Sequence, residues 1–262
     1  MGNTTLPYQG SFRRYEKKFL LNPTQYHSFL SYLKENASID QYGLSVIHNI
    51  YYDTPNWYLI RRSLEGPAYK EKLRLRTYGQ PDNMATAFIE IKKKFKNIVY
   101  KRRIAMPYPD ALRYLQTGIR KRFPDYSSEQ IAREIDWFLA SHPGIRPAMV
   151  ICYDRIAWAG NEDPDFRVTF DSNIRYRIED LDLRKGSHGI PLLENGQRLM
   201  EIKIPEAMPL VTARALDRSD IRMTSFSKYG KGYVSLQKNS FQKQEDKTCS
   251  IFYSTASLQT AP

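Results

Sequence analysis

Residues 70–76 read KEKLRLR. Lys70, Lys72, Arg74 and Arg76 recur at every second position, with Glu71, Leu73 and Leu75 in the gaps. A period of two is that of a β-strand, whose side chains alternate between two faces. One face of this strand is cationic and the other is largely apolar. The same division recurs along the chain. In RYEKKFL (14–20), Arg14, Glu16 and Lys18 lie opposite Tyr15 and Phe19. In FIEIKKK (88–94), Glu90, Lys92 and Lys94 lie opposite Ile89 and Ile91. In VYKRRIA (99–105), Lys101 and Arg103 share a face, and in YDRIAW (153–158) Arg155 lies opposite Ile156 and Trp158. In FRVTFDSNIRYR (166–177), Arg167, Thr169 and Asp171 oppose Val168 and Phe170, and Arg175 and Arg177 follow. In LMEIKIP (199–205), Glu201 and Lys203 oppose Met200, Ile202 and Ile204.

A half-buried antiparallel sheet has one wet face, and lysine or arginine there needs no function. That reading weakens when seven strands repeat the pattern with Arg and Lys in place of a mixed polar set. We expect an α+β protein in which an antiparallel β-barrel closes around a cationic lumen, with its apolar faces packed outward against helices. Such a lumen repels itself unless an anion fills it. Arginine forks suit phosphate oxygens and lysines supply point charges. The interleaved carboxylates point to a divalent metal bridging to that phosphate. Glu201, in an otherwise apolar strand, is the metal candidate, followed by Glu16 and Asp171. Glu16 and Glu90 have a competing use as partners for neighbouring lysines.

The bulk numbers agree. Among 262 residues, 40 Lys+Arg against 28 Asp+Glu leave a net charge of +12, which implies a polyanionic partner. Cys152 and Cys249 have no metal or disulfide-framework spacing, so a reducing compartment is expected. MGNTTLPYQG has no apolar leader core, and no apolar run approaches the ~20 residues of a membrane span. The expectation is a cytoplasmic protein that meets a membrane only peripherally or through a protein partner. The chain is rich in rings, with 19 Tyr and 12 Phe, but most lie opposite the cations, whereas single-strand nucleic-acid binders set rings beside the charge. Nucleic acid is therefore not an expected partner. His27, His48, His142 and His188 fall in no catalytic pattern, and there is no P-loop, GxGxxG, HExxH or GxSxG.

Strands are expected over 12–20, 46–53, 69–78, 86–94, 98–105, 149–158, 166–172, 174–179 and 199–204. Asn22-Pro23 starts a helix carrying Tyr26, Phe29, Leu30 and Leu33. Further helices are expected at 109–117, from a capping box at SSEQ (127–130), near 208–216 and near 225–236. NGQ (195–197) is a turn, and the chain from about 238 reads as a mobile tail after a domain at 12–237.

Glu16-x-Lys18 resembles the end of the ExExK signature of the triphosphate tunnel enzymes, the CYTH superfamily. The longer phrases resemble one branch, the VTC domain, the polyphosphate polymerase domain of the vacuolar transporter chaperone complex. They are RRYEKKF (13–19), IYYDTP (50–55), EGPAYKEKLRLRTYG (65–79), FIEIKKK (88–94), VYKRR (99–103), YDRIAW (153–158), RVTFDSNI (167–174), MEIKIP (200–205) and SFSKYGKG (225–232). The resemblance alone supplies a strand count, implying an eight-stranded antiparallel β-barrel tunnel. It also implies a manganese- (or magnesium-) dependent transfer of the ATP γ-phosphate to a growing inorganic polyphosphate chain, releasing ADP. It implies that Lys18, Arg74, Arg76, Lys92, Lys101, Arg103, Arg155 and Arg167 cradle phosphates and that Glu201 holds the metal. It also places Lys228, with Ser227, near the terminal phosphate. Lys94 and Lys203, on the same alternating face, are further phosphate-binding candidates. Arg14 stands where the wider superfamily has the first Glu of ExExK, so a two-metal, water-activating site is poorly supplied. That favours holding a long polyanion over activating water. The alternatives are a tunnel-type hydrolase of tripolyphosphate, nucleoside triphosphate or thiamine triphosphate, and a non-catalytic module binding polyphosphate or inositol phosphates.

Overall fold

A computed structural model describes residues 15–96, 98–204 and 207–240. Its strands are β1 (Tyr15–Leu21), β2 (Ala37–Asp53), β3 (Tyr69–Tyr78), β4 (Thr86–Phe95), β5 (Ile98–Pro107), β6 (Arg146–Gly160), β7 (Arg167–Arg177), β8 (Ile190–Pro191) and β9 (Arg198–Ile204). The helices are α1 (Pro23–Asn36), α2 (Tyr58–Leu64), α3 (Tyr108–Thr117), α4 (Tyr126–Ser141), α5 (Leu210–Arg218) and α6 (228–240). The strands form one antiparallel sheet in the order β1-β9-β7-β6-β2-β3-β4-β5, with β8 paired to β7.

The expected closed barrel is not what forms. The sheet curls, but no ladder joins its edge strands β5 and β1 among the described residues. Side chains cross the gap instead: Lys92 Nζ of β4 lies 3.8 Å from Glu16 Oε2 of β1. The result is a trough rolled tightly enough for β4, next to one edge, to share an ion pair with β1 at the other edge.

Alternation places three apolar layers. On the convex side, Leu73, Leu75, Ile89 and Ile91 pack with Tyr108, Tyr114, Ile135 and Phe138 of α3 and α4. Farther along that side, Phe19, Val168, Phe170, Met200 and Ile202 pack with Phe29, Leu33 and Leu216 of α1 and α5. The third layer corrects the expectation of a polar lumen throughout. Ile47, Tyr51, Met149, Ile151, Ile174 and Leu199 line part of the concave face and pack against Phe226 and Tyr229. Helix α6 therefore fills one region of the trough. The segment 238–240, expected to begin a tail, continues this helix, and the rest of that expected tail lies outside the described residues.

Local starts and stops follow ordinary rules. Asn22 caps α1 through a full capping box with Gln25. Helix α4 starts earlier than SSEQ suggests: Asp125 is its cap and accepts from the Ser128 amide at 2.7 Å. Gly196, at φ 80°, makes the turn before β9, a conformation that favours glycine. Strand β2 runs from Ala37, and the expected strands 166–172 and 174–179 are one strand, β7, with Asn173 at φ 48° inside it.

Candidate polyanion site

The concave face gathers six lysines (Lys18, Lys72, Lys92, Lys101, Lys203, Lys228) and four arginines (Arg74, Arg76, Arg103, Arg155) around four carboxylates (Glu16, Glu90, Asp171, Glu201). Register explains the grouping. Arg74 lies opposite Glu90, which lies opposite Arg103. Arg155 lies opposite Asp171, Glu201 sits between Lys18 and Thr169, and Lys203 sits between Glu16 and Arg167.

Two carboxylates are tightly neutralised. Glu90, 1% exposed, accepts from Arg74 Nε at 2.6 Å, with Lys101 Nζ at 2.6 Å and Arg76 Nε at 3.6 Å. Burial opposes its charge, yet Arg74, Arg76 and Lys101 hold its carboxyl well below the usual range. Asp171 is fully buried and takes Arg155 bidentately at 2.6 and 2.7 Å, with Lys228 Nζ at 2.5 Å. Burial works against Asp171 too, and Arg155 and Lys228 keep its carboxyl low.

The other two are held loosely. Glu201 has Lys228 at 3.3 Å, Lys18 at 3.4 Å and Arg155 at 3.8 Å. Glu16 has Lys18 at 3.1 Å and Lys92 at 3.8 Å. Both carboxyls stay ionised: burial raises them, but Lys92 and Lys18 bring Glu16 to about 2, and Lys228, Lys18 and Arg155 take Glu201 well below its usual range. Thr169, beside Glu201 in the ladder, buries a hydroxyl with no hydrogen-bond partner among the described residues. Two ionised, loosely paired carboxylates beside an orphan hydroxyl fit a divalent ion that completes its shell with phosphate oxygens. No group of three or more His, Cys, Asp or Glu side chains able to hold a metal occurs among the described residues, so no all-protein cage is built there.

The cations show the surplus from their own side. Burial and the neighbouring Lys92, Lys70, Lys18 and Arg74 push the Lys72 ammonium down to about 7. Burial, with Arg76 and Arg74, brings Lys101 to about 7 despite Glu90. Burial and Arg155 bring Lys203 to about 8. Burial is the largest cause of each shift and neighbouring cations add to it, and a bound anion would relieve the second of these.

Of the other candidate residues, Ser227 accepts from Lys72 Nζ at 3.0 Å at the entry to α6. Lys18 donates to the Phe226 carbonyl at 3.1 Å, on the same segment. Arg167 sits farther out, 3.0 Å from Asp40. Arg103 stacks over Phe88 at 5.0 Å. Lys94 lies opposite Lys70, away from the carboxylates.

Three neutral residues absent from the charge pattern belong to the site. Tyr51 accepts from Arg74 at 3.2 Å, and Asn49 and Tyr153 accept from Arg76 at 3.0 and 3.2 Å. The phrase IYYDTP also gains a physical account. Buried Asp53 accepts from the Leu59 and Ile60 amides at 2.9 and 3.0 Å and from the Tyr229 hydroxyl at 2.8 Å. It fixes the start of α2 and docks α6, which carries Lys228.

The profile of the VTC domain family matches residues 13–237. Among solved structures, a provisional adenylate cyclase of Bacillus halodurans is 14% identical, with 84% of this chain and 96% of that chain covered, at a TM-score of 0.51. A provisional adenylyl cyclase of Hippeastrum, reported with a dominant triphosphatase activity, is 12% identical over 82% of this chain and 93% of that one, at a TM-score of 0.43. The first of these is a likeness of fold. No curated protein matches. No described helix is long and apolar enough to cross a membrane.

Proposed function

The chain belongs to the VTC domain family, and from that premise we propose that it transfers the γ-phosphate of ATP to a growing inorganic polyphosphate chain, releasing ADP. The observation that carries this reading is the charge balance of the trough: ten cations surround four carboxylates, and two of those carboxylates are spent on holding Arg74, Arg155 and Lys228 in place. A surface with that surplus suits a substrate with many charges.

In this reading Arg74, Arg76 and Arg155 grip the triphosphate, with Lys18, Lys203 and Lys228 neutralising its oxygens. Glu201 and Glu16 hold a divalent ion, manganese or magnesium, which would lower the charge on the transferring group. Asp171 acts as the orienting partner of Arg155 and Lys228. The attacking group is the terminal phosphate of the polymer, already ionised at neutral pH, so no strong general base is required. Phosphoryl transfer depends mainly on in-line positioning and charge stabilisation, which a rigid cationic wall supplies.

The test is an incubation of the protein with ATP and Mn²⁺. Products are run on a polyanion-stained gel beside a free-phosphate assay. Polymer with ADP is the expected result. Free phosphate without polymer would assign a triphosphate hydrolase, and bound but intact ATP would assign a polyanion-binding module. Arg74→Ala is expected to abolish turnover in either enzyme.

A further inference from the structure

The concave face changes its chemistry along β3. Lys70, Lys72, Arg74, Arg76 and Tyr78 occupy it in turn, so the row of cations ends in a ring. Phe88 of β4 lies opposite Arg76, and Ala105 of β5 lies opposite Phe88. The Tyr78 and Phe88 rings meet edge to face, 5.7 Å between centroids at 83°, a favoured aromatic geometry. Arg103, two residues before Ala105, sets its guanidinium carbon 5.0 Å from the Phe88 ring centroid. Phe88 is 5% exposed and forms a floor, whereas Tyr78 is 53% exposed. Shielding Phe88 requires only the ring edge that touches it, and the rest of Tyr78 is left in water. Ala105, itself exposed, has no bulk to cover the rings. Rungs on one face are about 6.7 Å apart, two residues at strand rise, so Tyr78 stands one rung beyond Arg76 and two beyond Arg74. A ribose bridges a comparable gap between a base and its nearest phosphate.

We propose that Tyr78 and Arg103, with Phe88 beneath them, form a stacking platform for the base of a purine nucleoside triphosphate whose phosphates lie on Arg74 and Arg76. The proposal rests on the phosphate-transfer reading above and deepens it, by naming residues that favour a nucleotide over an inorganic triphosphate as the donor. The phenol supplies a π-face, and a guanidinium is planar and stacks in the same way. A purine offers more ring surface to both than a pyrimidine does. The arrangement suits one base and not a strand of them. Single-strand binders repeat rings along the backbone path. Here the face carries only charged residues from Arg76 back to Lys70 and from Glu90 on to Lys94. This placement uses Arg103 for its plane, in contrast to the phosphate contact that the resemblance to the VTC domain implies.

The test compares affinities for ATP and for tripolyphosphate in metal-free buffer, for wild type, Tyr78→Ala and Tyr78→Phe, beside polymer synthesis by wild type with Mn²⁺. Tyr78→Ala is expected to lower ATP affinity by about fivefold to tenfold, the lower end of what one base–ring stack is worth, and to leave tripolyphosphate affinity unchanged. Tripolyphosphate binding in the same sample reports that the trough is intact. Tyr78→Phe keeps the ring and should keep the wild-type ratio. A fluorescent purine nucleoside triphosphate should lose emission on binding wild type and lose less on binding Tyr78→Ala. If Tyr78→Ala lowers both affinities alike, the ring only supports Arg76 and the platform is overturned. If wild type makes polymer but Tyr78→Ala moves neither affinity, the platform is refuted while the transfer reading stands. If wild type binds neither ligand, the transfer reading fails and takes the platform with it.

Discussion

Glu90→Gln tests whether the buried acids of the trough hold its cations in place. The change keeps the shape of the side chain and removes its charge. In the native chain, Arg74 and Lys101 each lie 2.6 Å from Glu90, and Arg76 lies 3.6 Å away. The variant leaves three cations around a neutral amide. Removing one partner of a buried ion pair costs about 3–5 kcal/mol. The lower end applies because the Lys101 side chain is 35% exposed and can recover water. For a chain of this size each kcal/mol moves Tm by about 2–4 °C, so the expected fall is about 6–12 °C at neutral pH. The penalty should shrink at pH 9, because the Lys101 ammonium, already down to about 7 in the native chain, sheds its proton there. Added tripolyphosphate supplies the lost negative charge. In wild type a ligand at one hundred times its Kd stabilises by about 2.7 kcal/mol. The variant should gain more than wild type at the same ligand concentration. Calorimetric melts of both proteins, with and without tripolyphosphate, provide the measurement. A fall under about 3 °C, or a smaller ligand gain in the variant, would refute the view that this acid holds back a cationic site waiting for an anion.

Other outcomes follow from the same geometry. Lys72 and Lys101 at about 7 and Lys203 at about 8 are low for lysine, so the folded chain carries fewer protons than the unfolded chain between those values and about 10.5. Stability without ligand should therefore rise with pH from about 7 to about 9, below the range where the raised Cys152 and buried tyrosines act in the opposite direction, and tripolyphosphate binding near pH 8 should take up protons, as read from titration calorimetry in buffers of different ionisation enthalpy. Glu201→Gln should lower metal-dependent turnover by about a hundredfold or more, while metal-free tripolyphosphate affinity is equal or stronger because a repelling charge has gone. Unchanged turnover in that variant would remove Glu201 as the metal ligand. Asp53→Ala leaves two buried amides and the Tyr229 hydroxyl without their acceptor. It should cost about 3 kcal/mol in denaturant unfolding and make the α6 segment sensitive to protease.

Period two carries most of the fold in the sequence. KEKLRLR and its counterparts assign strands, faces and the outward apolar layers correctly, because alternation against a core is a local property of each strand. Closure of the sheet is not legible, since it depends on whether β5 and β1 meet edge to edge, and no single strand encodes that. Nor is the apolar stretch inside the trough. Met149, Ile151 and Leu199 look like any core residues until α6 is seen to lie on them. Helix α2 is hidden because it is one of the shortest elements and begins after Trp57, at φ 59°, with no side-chain cap of its own. Its missing cap is supplied by Asp53, several residues back, which the pattern DTP alone does not announce.

The neutral residues of the trough show what a charge count leaves out. Asn49, Tyr51 and Tyr153 obey the same alternation as the cations beside them, and each accepts a hydrogen bond from Arg74 or Arg76. A carboxylate in any of these places would orient the guanidinium better, since charge-assisted bonds are the stronger ones. It would also cancel the charge that an anion needs. Tyrosine and asparagine oxygens hold the plane of the arginine and leave its charge unspent. Aromatic and amide residues set on strand faces that meet arginines are therefore a sequence signal that those arginines are meant for a ligand, and residues 46–53 and 149–158 carry it.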